Sequence, residues 1–284
     1  MMMSLLLKET IRLAILEDIG HGDVTSLLII PERKKANANI IAKEEFILAG
    51  MPFVKEVFRT IDLQVNVKSF FDEGANVKKG DIIADISGSA RSLLAGERIS
   101  LNILQHISGI ATITNRFVEK VKGLPVKIAD TRKTIPGMRV MEKYGVKIGG
   151  GINHRFGLYD GILIKDNHIK IAGSVKKSVG LVKKGRHLLK IEVEVKNLDE
   201  FKEALDTGAD VIMLDNMSID DMKKAVKIRN SKIQNHRGLL EASGSVNLEN
   251  IRSIAETEVD IISIGAITHS ARAVDISMKI AHSS

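Results

Sequence analysis

Cysteine is absent from this 284-residue chain, and so is tryptophan. Without cysteine there can be no disulfide and no thiolate metal site, and a reducing compartment fits. Aromatic residues are only 4% of the chain, which leaves few platforms for stacking bases and argues against a nucleic-acid-binding protein. The eight histidines show no metal-binding spacing such as HExxH. Long apolar runs are missing as well. The opening MMMSLLLKETIRLAILEDIG is apolar only to Leu7, after which Lys8, Glu9, Arg12, Glu17 and Asp18 interrupt it. Neither a signal peptide nor a membrane-spanning helix is expected there. An amphipathic helix is, with Leu6, Leu13 and Leu16 among its apolar positions. The expectation is a soluble, cytoplasmic protein with no membrane partner.

What the chain does have is unevenly placed positive charge. The formal net charge is +7, yet residues 1–119 sum to −1, residues 120–190 to +13 and residues 191–284 to −5. The excess concentrates in ADTRKTIPGMRVMEKYGVKIGGGINHRFGLYDGILIKDNHI, residues 129–169. A cluster of this kind attracts an anionic partner, whether nucleic acid, membrane or phosphorylated metabolite. A solvated face is the plain alternative.

Short apolar runs separate amphipathic stretches from about residue 126. VKIAD (126–130), GILIK (161–165), KIEVEV (190–195), VIMLD (211–215), LLEAS (239–243) and IISIG (261–265) are the strand candidates. From the second run onward they recur every 20 to 30 residues or so, as successive βα units with a parallel sheet would. Six strands fall short of eight, which predicts an irregular, incomplete α/β barrel, with a doubly wound open sheet as the alternative. Residues 36–88 instead alternate apolar residues with glycine turns, the pattern of short antiparallel strands. Their EGANVKKGDIIADISG resembles the turn of biotinyl and lipoyl carrier domains, but the neighbours those carriers place beside the lysine are missing, and a structural hairpin is expected. Residues 92–123 have a long helical pattern that would join the two parts.

Polar or glycine residues end each run: Thr131-Arg132-Lys133, Lys165, Glu194, Asp215, Ser243-Gly244-Ser245 and Gly265-Ala266. Parallel α/β folds carry their sites at these carboxyl ends, so the placement favours a functional cluster over a solvated face. Arg132, His154 and Arg155 together suit a small dicarboxylate, and Lys133 and Lys165 suit phosphates. The SGS and GA segments suit a phosphate held by backbone N–H groups. Glu194 and Asp215 close adjacent strands and offer oxygen ligands of the kind that bind Mg²⁺. A salt bridge to neighbouring lysines would explain them equally well. GGG at 149–151 has neither the Walker nor the dinucleotide spacing, and a tight loop is its default reading.

These segments also carry a resemblance. DTRKT-PG-R, KYGV-GGG-NHR-GLYD-ILIKDNHI, EVEV-N, DVIMLDN, EASGS and SIGAITHS resemble the quinolinate phosphoribosyltransferase family, as do EDIGHGDVTS (17–26), LAGERISLN (94–102) and SGIAT (108–112). The likeness covers nearly the whole chain. Ile135, Gly145 and Ser245 depart from the family pattern without removing a charge.

The resemblance implies an N-terminal α/β sandwich domain (1–112) and an irregular, incomplete α/β barrel (113–284), with the last residues returning to the first domain. It implies a homodimer or larger homo-oligomer with shared active sites. The implied reaction joins quinolinate and phosphoribosyl pyrophosphate, with Mg²⁺, to give nicotinate mononucleotide, CO₂ and pyrophosphate. Arg132, His154 and Arg155 would bind the quinolinate carboxylates, joined by Arg98 from the partner subunit. Thr131, Lys133 and Lys165 would complete the substrate site, the two lysines facing phosphates. Glu194 and Asp215 would hold the ribose hydroxyls and Mg²⁺, and Ser243, Gly244, Ser245, Gly265 and Ala266 the 5′-phosphate. A nicotinate phosphoribosyltransferase-like enzyme and a Schiff-base lyase using Lys165 are the competing readings.

Overall fold

The computed structural model describes residues 5–185, 188–231 and 238–281. The chain begins with α1 (Leu5–Ile19), α2 (Val24–Ile29), β1 (Lys35–Ala42), β2 (Phe46–Ile47) and α3 (Met51–Ile61). It continues through β3 (Asn66–Ser69), β4 (Asn76–Val77), β5 (Ile82–Ser89), α4 (Ala90–Lys120), β6 (Lys127–Ala129) and α5 (Arg139–Ile148). Next come β7 (Ile162–Ile164), α6 (Asp166–Ala172), α7 (Val175–Gly185), β8 (Ile191–Val195), α8 (Leu198–Thr207) and β9 (Val211–Asp215). It ends with α9 (Ile219–Ser231), β10 (Leu239–Ser243), α10 (Ile251–Ala255), β11 (Ile261–Ser263), α11 (Ala266–His269) and β12 (Ile276–Ile280).

Two compact units result. One holds the chain up to Asn115, Thr134–Gly150 and the chain from Ser270 onward; the other holds Arg116–Lys133 and Gly151–His269. A single boundary near residue 112 therefore does not describe the contacts, because 134–150 groups with the first unit. Tyr144 of α5 donates its hydroxyl to Glu73 at 2.7 Å, and Glu73 also accepts the Gly50 and Met51 N–H groups at the start of α3. Gly145 lets α5 lie close against α4, since a Cβ there would stand 3.0 Å from the Ile107 carbonyl oxygen.

In the first unit an antiparallel sheet runs in the order β12-β1-β5-β3. Alternate residues of β1 (Ala38, Ile40, Ala42) are buried with Ile83 and Ile86 of β5 and Met278 of β12. Val54 and Phe58 of α3 and Leu93, Leu101 and Leu104 of α4 complete this core. Full burial of each large apolar side chain is worth about 1.5–3 kcal/mol. Helix α1 forms as expected. It buries Leu7 and Ile11, while Leu6, Leu13 and Leu16 are half-exposed.

The second unit is a six-stranded parallel sheet in the order β6-β11-β10-β9-β8-β7, one strand for each of the six apolar runs. β6 and β7 are its edges and do not pair with each other among the described residues, so the sheet is not closed into a barrel. One residue extends the β6 edge: Ile152 makes a parallel bridge to Ala129. A single bridged residue has no periodicity to betray it in sequence. No helix among the described residues is long and apolar enough to cross a membrane.

Candidate active site

Side chains two residues apart on a strand share a face. In the parallel sheet this rule picks out Leu163 and Lys165, Glu194, Met213 and Asp215, Glu241 and Ser243, and Ser263 and Gly265, all of which line one cavity of about 580 Å³. That volume lies within the usual range for small-molecule sites. Thr131, Arg132 and Lys133 enter from the turn after β6, and His154 and Arg155 from the segment after Ile152. Gly244, Ser245 and Ala266 complete the set of thirteen cavity-lining residues expected from the sequence. Arg98 is the exception. It belongs to the first unit, on the exposed side of α4.

Local hydrogen bonds fix these groups. Thr131 Oγ1 accepts the Lys133 N–H at 3.1 Å, and the Lys133 carbonyl accepts from Thr268 Oγ1 at 2.8 Å. The Lys133 stem crosses Gly265 so closely that a Cβ on Gly265 would stand 2.8 Å from Lys133 Cδ. Buried Asp130 accepts the His154 N–H at 2.9 Å. Arg155 donates from Nη1 to the Gly161 carbonyl at 2.9 Å, across a turn closed by Asp160, which accepts the Phe156 and Gly157 N–H groups. Burial, and then the nearby Arg132 charge, lower the Arg155 pKa. Two guanidiniums held against their own repulsion form a site prepared for an anion.

The carboxylates divide into two levels. Near the mouth, Glu194 pairs with Lys165 at 3.4 Å, and Asp215 accepts from the Asn216 side chain at 3.2 Å. The ion pair that could have explained Glu194 is therefore present, inside the cavity. Glu194 and Asp215 lie on adjacent parallel strands, with Glu194 opposite Met213 in register, so both carboxylates face the same space. An all-oxygen pair beside room for substrate oxygens fits Mg²⁺.

Deeper down, Glu192 and Glu241 meet His154, whose Nε2 lies 2.9 Å from Glu192 and 3.7 Å from Glu241. These three side chains are close enough to suggest a metal site. The histidine's hydrogen bonding rules against it. His154 Nδ1 accepts the Arg155 N–H at 2.8 Å, so the proton of the neutral ring is on Nε2, directed at Glu192. Ligating a metal through Nε2 would move that proton to Nδ1, where it would face the Arg155 N–H. The same arrangement occupies both ring nitrogens, so His154 can donate to a bound anion only if Nε2–H turns away from Glu192. Burial and the Glu192 charge push the Glu241 pKa up to about 7.

Sequence reasoning named the outer member of each strand pair and missed the polar inner ones: Glu192, Glu241 and Ser263. Counting two residues back from Glu194, Ser243 and Gly265 finds all three. His269, also in the lining, had no such signal.

The family model for the quinolinate phosphoribosyl transferase N-terminal domain matches residues 23–108, and that for the C-terminal domain matches residues 110–279. The chain belongs to this family. It is 43% identical over 275 residues to a probable nicotinate-nucleotide pyrophosphorylase [carboxylating] of Bacillus subtilis, covering 96% of this chain and 93% of the relative. A protein of the same name from Methanocaldococcus jannaschii is 44% identical over 268 residues, with 93% of each chain covered. Among solved structures, nicotinate-nucleotide pyrophosphorylase from Ehrlichia chaffeensis superposes with a TM-score of 0.92 at 41% identity, covering 99% of this chain and all of that one. Family membership thus spans both units, including the basic 129–169 segment and every strand end that lines the cavity.

Proposed function

We propose that this protein transfers a phosphoribosyl group from phosphoribosyl pyrophosphate to quinolinate and decarboxylates the product, giving nicotinate mononucleotide, CO₂ and pyrophosphate for NAD biosynthesis. One observation carries this reading: a single cavity joins Arg132, Lys133, Arg155 and Lys165 to two carboxylates and a glycine loop. Dense positive charge offsets the repulsion between a pyridine dianion and a polyanionic sugar phosphate.

Arg132 and Arg155 clamp the quinolinate carboxylates, with His154 holding the Arg155 N–H beneath them. Lys133 and Lys165 face the phosphates, with Thr131 ordering the turn that carries Lys133. Glu194 and Asp215 hold the ribose hydroxyls and would share Mg²⁺, which supplies charge neutralisation at the pyrophosphate. Ser243–Ser245 and Gly265–Ala266 hold the 5′-phosphate. As the bond from ribose C1 to pyrophosphate breaks, positive charge grows on the ring, and the two carboxylates stabilise it. The pyridine nitrogen then forms its bond to C1 and becomes cationic. The neighbouring carboxylate leaves as CO₂, its bonding electrons remain on the ring carbon, and that carbon takes up a proton. No protein nucleophile is needed. Lys165 is ion-paired to Glu194 at 3.4 Å, which supports its role at the phosphates.

The protein acts as a dimer in the cytoplasm, with Arg98 completing the partner's carboxylate clamp. Exposed leucines and isoleucines of α1 and α2, among them Leu5, Leu6, Leu28 and Ile29, support a covered face there. Turnover of quinolinate and nicotinate, each with phosphoribosyl pyrophosphate and Mg²⁺, tests the assignment. Quinolinate should be consumed and nicotinate spared; preference for nicotinate would overturn it. Borohydride trapping of substrate on Lys165 would instead establish the lyase.

A further inference from the structure

The geometry assigns Asn216 as a positioning residue that ties the Asp215 carboxylate to the Ser243–Ser245 loop, an inference that rests on the function proposed for the cavity. Asn216 follows the last residue of β9 and stands behind the lining rather than in it. Its backbone N–H donates to the Ser243 carbonyl at 2.9 Å, which carries the β9–β10 pairing one step past the strand end. Its φ is 54°, in the left-handed region that asparagine tolerates better than most side chains.

The carboxamide folds back across the two strand ends. Nδ2 donates to Asp215 Oδ1 at 3.2 Å, and Oδ1 accepts from Ser245 Oγ at 3.3 Å. These roles cannot be exchanged, because an ionised carboxylate only accepts and so requires the NH₂ group to face it. The carboxamide also occupies the place a side chain would take at Gly244. A Cβ there would overlap the Asn216 side chain, and Gly244 has φ +95° besides. Three hydrogen bonds and one steric fit therefore set the spacing between the carboxylate assigned to the ribose and the loop assigned to its phosphate. A ligand that must meet both at once binds best when that spacing is fixed in advance.

Asn216→Gly keeps the backbone conformation and removes the carboxamide. The KM for phosphoribosyl pyrophosphate should rise about tenfold, the scale of one lost hydrogen bond at each end. Quinolinate affinity by calorimetry should change less than about twofold, since the clamp groups are not hydrogen-bonded to Asn216. Asn216→Asp preserves size but sets a carboxylate oxygen where the NH₂ donor faced Asp215, and should weaken the phosphoribosyl substrate at least as much. Unchanged KM in both variants, or equal weakening of quinolinate, would overturn the assignment. A second measurement is independent of turnover. Thermal midpoints of Asn216→Gly, Gly244→Ala and the double variant should be non-additive, because alanine at 244 collides with the carboxamide only when Asn216 is present. The backbone strain at 244 is common to both backgrounds and cancels. Additive midpoints would overturn the strap whatever the protein's activity, whereas absence of wild-type turnover would count against the proposed function alone.

Discussion

Replacing Glu241 by Gln should make the protein more stable at pH 8 and leave it nearly unchanged at pH 4.5. Glu241 is 1% exposed and its Oε1 has no hydrogen-bond partner. Beside it stand Glu192, which repels a second negative charge, and the Nε2 side of the His154 ring, which offsets part of that effect from 3.7 Å. Burial and Glu192 win, and the pKa moves from 4.5 to about 7. The folded state therefore holds this proton more tightly than the unfolded chain. Its stabilising contribution is complete below about pH 4.5 and is lost as pH rises towards 7. At about 1.36 kcal/mol per pKa unit, the loss above pH 7 is at most about 3 kcal/mol. Glutamine has the shape of the protonated acid and cannot ionise, so it escapes that loss. Urea unfolding at the two pH values should show midpoints that nearly coincide at pH 4.5. At pH 8 the variant should unfold about 1 M later for a slope near 3 kcal/mol/M. A variant less stable than wild type at pH 8 would refute the reasoning, because it would mean that Glu241 is an ionised partner of a charged His154.

Three further outcomes concern the site. Arg155→Ala should weaken quinolinate binding by about 2–5 kcal/mol, the cost of losing a desolvated charge-assisted contact, and phosphoribosyl pyrophosphate binding far less; calorimetry of both ligands checks this. Asp215→Asn retains shape but removes the charge proposed to face the cationic ribose, so kcat should fall more than quinolinate affinity in steady-state and binding assays. On the proposed two-fold dimer with shared sites, mixing inactive Arg98→Ala and Lys133→Ala proteins should restore activity towards about half of wild type per mixed dimer, since such an interface would gather both lesions into one site and free the other. Parental activity after subunit exchange confirmed by mass would place Arg98 in its own subunit's service.

How much of this was legible in the sequence differed with the range of the forces involved. Strands β6–β11 coincide with apolar runs because a sheet buried on both faces demands them. The outer site residues were visible because they stand where those runs end. Glu192 and Glu241 were not, since each sits inside an apolar run and its burial is decided by strands distant in sequence. GGG at 149–151 shows the reverse. Gly149 lies where a Cβ would meet α4, and Gly150 takes φ 92° at the end of α5, so the motif serves packing and chain reversal rather than phosphate binding. In helix α1 the sequence alone does not say which apolar positions are buried, because Leu6, Leu13 and Leu16 are as apolar as Leu7 and Ile11. Only packing against α3 and α5 selects between them. The grouping of α5 with the first unit was equally hidden, as it rests on contacts distant in sequence, such as the Tyr144 hydroxyl bond to Glu73, 71 residues away.

The central claim is that one cavity both transfers the phosphoribosyl group and expels a carboxylate. Its most direct test uses quinolinate labelled with ¹⁴C in the carboxyl group beside the ring nitrogen, incubated with the protein, phosphoribosyl pyrophosphate and Mg²⁺. Labelled CO₂ and unlabelled nicotinate mononucleotide should appear in equal amounts, and both should depend on phosphoribosyl pyrophosphate. Folded protein that releases no labelled CO₂, or forms a nucleotide still carrying the label, would contradict the account.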